Sequence, residues 1–128
     1  MGGLVGCASP QAAPDVADLE GRVRSWWAAR QAGDVGRMYE MLEPSYRQSH
    51  SFAEFQAHAP RLTRILVENL RIASTSPVPD SGRVIVVLLG TTRLPRTGKA
   101  VEIIINDPWV LDNGQWWRID VPPQMPFK

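Results

Sequence analysis

Tyr46 and His50, in the stretch EPSYRQSH, are the two side chains in this sequence whose types best suit proton chemistry. Histidine is the residue that titrates near neutrality, and a phenol can donate a hydrogen bond to a developing oxyanion. Together in an apolar cavity they would serve an isomerase-, dehydratase- or cyclase-like reaction. Each also has a plainer assignment. His50 directly precedes Ser51, which reads as a helix cap, and this puts His50 in a solvated turn. Tyr39 and Tyr46 can line a cavity, or fill a helix–sheet core with the hydroxyl at its edge. Glu102 alternates with Val101, Ile103 and Ile105 and is expected to face solvent, and His58 is read as exposed. Asp107, before Pro108, reads as shaping a bulge, and Asp120 as closing the last strand beside an arginine. Two separated histidines without a carboxylate cluster give no metal site, and neither a phosphate-binding glycine loop nor a Ser-His-Asp arrangement is present. No cofactor is expected.

The single cysteine, Cys7, stands among small residues in LVGCASP. Leu4-Val5-Gly6-Cys7 resembles the lipobox of bacterial lipoproteins, where small neighbours let a peptidase reach the bond before the cysteine and expose the thiol to lipid. The resemblance implies lipidation at Cys7 and a place in the cell envelope. Ala8 after the cysteine implies the outer membrane, facing the periplasm. The following ASPQAAPD has nothing periodic to bury and reads as a flexible tether. A signal peptide also carries a basic segment and an apolar core, whereas only MGGLVG precedes Cys7. The alternative is a surface cysteine in a disordered tail.

Composition narrows the rest. The chain has 128 residues, 44% hydrophobic, enough for one domain with one core. Its 14 Lys+Arg and 13 Asp+Glu leave a net charge of +1, with no basic run, which argues against nucleic-acid binding. One cysteine excludes an intrachain disulfide and a thiolate zinc site. Residues 1–14 read as the tether, 15–121 as the domain and 122–128 as a tail.

Three helices are predicted first. Val16, Leu19, Val23, Trp26 and Trp27 give helical periodicity over 15–32, ended by Gly33. Asp34 then caps a short helix that Pro44 stops. Ser51 and Glu54 form a capping box for a third, which ends before Pro60. Beyond it the period becomes two, and strands are predicted over 64–74, 83–94, 99–107, 109–112 and 115–121. Asn113-Gly114 marks a two-residue hairpin that sets Leu111 against Trp116 and Val110 against Trp117. Asp107-Pro108 is expected to interrupt its strand, because proline lacks a donor.

VRSWWAARQAGDVGRMYEMLEPSYR and DNGQWWRID, in that order, resemble the nuclear transport factor 2-like superfamily, which includes ketosteroid isomerases and polyketide cyclases. The resemblance implies an α+β, cone-like fold, three N-terminal helices on a curved, mostly antiparallel sheet enclosing a pocket. It places Trp27, Tyr39 and Tyr46 along that pocket, and implies pairing through the outer sheet face. The family's carboxylate base would fall near Ser49 and His50, where this chain has none. On the closing hairpin, Val110, Trp117 and Ile119 are assigned to the core, and Trp109, Leu111 and Trp116 to the water-facing side. That second set forms an apolar patch suited to a homodimer contact. The sequence thus predicts a non-enzymatic, lipid-anchored domain binding a small apolar ligand or a protein partner.

Overall fold

The computed structural model describes residues 16–63 and 65–120. Cys7 with its lipobox and tether, and the tail over 122–128, lie outside the described residues.

Four helices precede four strands. Helix α1 (Val16–Ala32) buries Leu19, Val23, Trp26, Trp27 and Ala29 along one stripe, so both adjacent indoles enter the core. It stops at Gly33, whose φ of 73° turns the chain back without the penalty of a β-carbon. Asp34 accepts from the Arg37 amide at 3.2 Å and opens α2 (Val35–Glu40). Helix α3 (Pro44–Ser49) follows, and α4 (Phe52–Thr63) carries the expected capping box: Ser51 N donates to Glu54 at 2.8 Å and Glu54 N to Ser51 Oγ at 3.1 Å.

Two helix boundaries differ from expectation for reasons that proline explains. Pro44 ends nothing. It occupies the first turn of α3, where the missing amide proton has no intrahelical partner to lose. Pro60 sits inside α4, which continues to Thr63. Phe55 and Ala59 before it are both fully buried and hold that helix against the core.

Strands β1 (Glu68–Val78), β2 (Arg83–Arg93), β3 (Ala100–Asp112) and β4 (Gln115–Arg118) form one antiparallel sheet in sequence order. The sheet is neither curved nor closed, and this corrects the expectation of three helices on a curved, cone-like sheet. Part of the reason lies at Asp107-Pro108, where no interruption occurs. Strand β3 runs unbroken through it, pairing Asp107 with Val86 and Pro108 with Ile85. The Pro108 carbonyl still accepts from Ile119 N at 3.1 Å, and its missing donor falls beyond the last β3–β4 pair, Trp109 with Arg118. A long strand without a break supplies no corner at which the sheet could turn.

The hairpin at Asn113-Gly114 has the predicted register, with positive φ at both residues, Leu111 opposite Trp116 and Val110 opposite Trp117. Which side faces the helices is the reverse of the expectation. Trp109 is fully buried and Trp116 3% exposed, both in the core with Val86, Leu88 and the helical indoles, while Val110 and Trp117 are half-buried and only Ile119 of the expected core set is buried.

Edge strand β4 is sealed by the helical layer. Arg118 N donates to Met41 O at 2.8 Å, Glu43 N donates to Arg118 O at 3.1 Å, and Arg22 Nε donates to Trp116 O at 3.0 Å. Leu42 thereby forms a short parallel bridge beside β4, and the outward polar groups of that edge are satisfied. At Gly90 a β-carbon would lie 2.4 Å from Val67 Cγ1, so this point of β2 has no room for a side chain beneath the 65–68 segment.

Candidate functional site

The most elaborate polar group in the fold is centred on Asp107. Strand alternation aims it at the helices, and it is wholly buried. Its Oδ2 accepts from Trp109 Nε1 at 2.8 Å and from Trp27 Nε1 at 3.2 Å. Its Oδ1 accepts from Arg118 Nε at 2.9 Å and is shared by Arg118 Nη2, in an ion pair at 2.8 Å. Arg118 also donates to the Ile119 carbonyl, and its guanidinium lies over the Trp26 ring, 4.9 Å from the centroid. Arg30 lies over Trp27 at 4.6 Å and donates to Ile65 O. Burial, then the neighbouring Arg118 charge, pushes the Arg30 pKa down to about 10, with Asp107 opposing both. The carboxylate thus receives donors on both oxygens, which matches a structural junction between α1, β3 and β4. A general base needs a lone pair turned toward substrate.

Asp107 therefore does not shape a bulge. Its partners alternate in phase with it: Trp109 two residues on, Arg118 opposite Trp109. That phase was the available signal, since a carboxylate on the face of an indole and an arginine can be buried with its own donors. The same finding corrects the interface set. Trp109 and Trp116 are core residues, and Leu111 is partly buried against them.

Tyr46 and His50 do come together. One helical turn apart on and after α3, their rings stack with centroids 4.2 Å apart and planes 8° from parallel. His50 is exposed, as expected, and its Nδ1 is 3.0 Å from Ser49 Oγ and 3.2 Å from Tyr46 O. The Tyr46 pKa is pushed up to about 12, by burial first and then by the negative charge of nearby Asp120. Tyr39 donates to His50 O at 2.7 Å and pins the α3–α4 turn. Both tyrosines pack on Phe55, at 5.8 and 6.4 Å between centroids. Trp27, the third residue of the expected pocket lining, belongs to the Asp107 group instead. Phe55 meets the His58 ring edge-on at 5.2 Å.

The other face of the sheet carries Ile85, Val87 and Leu89 from β2 and Ile104, Pro108 and Val110 from β3. Ile104 is 66% exposed, and Val78 on β1 38%. At one end Arg71 meets Glu102 at 2.9 Å, so Glu102 faces solvent as expected. Sequence reading expected an apolar outer face but assigned it to the wrong side chains.

Among the described residues, no group of three or more His, Cys, Asp or Glu could hold a metal ion. No helix among them is long and apolar enough to cross a membrane. No protein-family model matches the chain, and no curated protein is detectably similar to it.

Proposed function

We propose that this is a non-enzymatic binding domain whose first partner is a second copy of itself, docked through the outer face of the sheet. The observation that carries the reading is the apolar run Ile85, Val87, Leu89, Ile104 and Val110 on the face away from the helices, with Ile104 66% exposed. Strands β1, β2 and β3, of 11, 11 and 13 residues at roughly 3.3 Å per residue and spaced about 4.8 Å apart, offer a footprint of about 550 Å². That is somewhat below the roughly 800 Å² per partner of a standard interface, and suits a reversible dimer. The face is also self-complementary. A two-fold axis along β2 exchanges β1 with β3, and so brings Arg71 of each copy toward Glu102 of the other.

Nothing about Tyr46 and His50 favours the enzymatic alternative. Burial moves the phenol's pKa further from neutrality, and the imidazole is on the surface. Attachment to the envelope through Cys7 rests on the Leu4-Val5-Gly6-Cys7 spacing alone.

Sedimentation velocity tests the docking reading. The wild type should show a concentration-dependent dimer in the micromolar range, and Ile104→Lys should stay monomeric with unchanged circular dichroism. A wild type that remains monomeric throughout that range would overturn it.

A further inference from the structure

Three elements bring two arginines against one indole at the β4 edge. Arg22 from α1 and Arg47 from α3 each place the guanidinium carbon 5.3 Å from the centroid of the Trp117 ring. Both are held there through Nε, which donates to Trp116 O in one case (3.0 Å) and to Leu42 O in the other (2.9 Å). Arg22 Nη2 is buried and has no hydrogen-bond partner among the described residues. Neither arginine makes an ion pair with a described carboxylate; the pairs present join Arg24, Arg71, Arg93 and Arg118 to other acids. Glu43, one turn before Arg47, accepts from Ser45 at 3.1 Å instead. Arg37 on α2 adds a third positive charge, and with burial as the larger cause it lowers the Arg22 pKa.

Like charges on a shared ring repel, and an unpaired buried guanidinium donor is expensive. Elsewhere in this fold Arg118, equally set over an indole, is neutralised by Asp107. At Trp117 no described carboxylate takes the corresponding place. We infer that the Arg22–Trp117–Arg47 cluster is a binding site for a phosphate group, supplied by a ligand rather than by the protein. With Nε tied to the backbone, each guanidinium is held at the ring and keeps its terminal N–H groups for an anion. Three arginines also match the charge of a phosphate better than the single charge of a carboxylate. Trp117 lies opposite Val110, at the border of the proposed dimer face, and the site draws on the β4 edge rather than on that contact.

The test is titration with inorganic phosphate, against sodium chloride at equal ionic strength, following the Trp117 indole N–H resonance. A parallel arm uses phosphatidylglycerol vesicles against phosphatidylcholine vesicles, which separates a free phosphate from a lipid headgroup. Phosphate or the anionic vesicles should move the Trp117 signal beyond the chloride control. Arg47→Gln and Arg22→Gln should each weaken that response about tenfold, while Arg71→Gln leaves it unchanged. Arg47→Gln keeps the test decisive if Arg22→Gln unfolds, because Arg47 gives β4 no backbone bond. No response to either probe, or an undiminished response in folded Arg47→Gln, overturns the inference.

Discussion

Asp107→Asn removes one charge and almost no volume, so it isolates the electrostatic part of the buried junction. In the wild type the two carboxylate oxygens take Arg118 on one side and two indole N–H groups on the other. An asparagine amide can present its oxygen to only one of those sides and must turn its NH2 toward donors on the other. It also leaves Arg118, whose side chain is 12% exposed, as an uncompensated charge near Arg30. Breaking a buried pair from one side costs about 3–5 kcal/mol. For a domain of this size that corresponds to roughly 12–20 °C in Tm, at about 4 °C per kcal/mol. Urea unfolding followed by tryptophan fluorescence measures it directly, since the wild-type midpoint should fall without a change in slope. Adding Arg118→Met to the Asp107→Asn background should cost less than in wild type, with a coupling of about 2 kcal/mol or more, because the orphaned charge leaves with it. A loss below about 1 kcal/mol for Asp107→Asn, with no coupling, would refute the reasoning.

Trp109→Ala should cost about 3–5 kcal/mol as a fully buried aromatic, and Trp117→Ala clearly less in the same urea titration; the reverse order would put the wrong hairpin face inward. Tyr46 has its pKa raised in the fold, so the stability it contributes is complete below the ordinary tyrosine pKa near 10 and is lost as pH rises through about 12. Absorbance titration should show a phenol ionising near pH 12 that disappears in Tyr46→Phe; a Tyr46 phenol ionising near pH 10 would contradict its burial in the fold.

Local chemistry was the legible part of this sequence. The Ser51–Glu54 cap, the Gly33 stop and the Asn113-Gly114 turn each depend on a few adjacent residues, and each appears in the structure. Proline was ambiguous, since Pro44 starts a helix as readily as it ends one. The hairpin face was illegible for a longer-range reason. Period-two alternation says which residues share a side, but which side is buried depends on the partner layer. Only the meeting of Asp107 with Trp27, eighty positions away, and with Arg118 shows how a carboxylate on that side is buried. The stacking of Tyr46 on His50 was hidden in the same way, because EPSYRQSH was read without a helix of its own.

Methyl chemical shifts followed on dilution test the docking face most directly, because they locate a contact as well as count copies. If the outer face pairs, dilution through the micromolar range should move the methyls of Ile85, Val87, Leu89 and Ile104 together. Those of Leu19, Val23, Val86 and Leu88, buried beneath the helices, should stay fixed. Shifts confined to other surfaces, or none at all, would contradict the account.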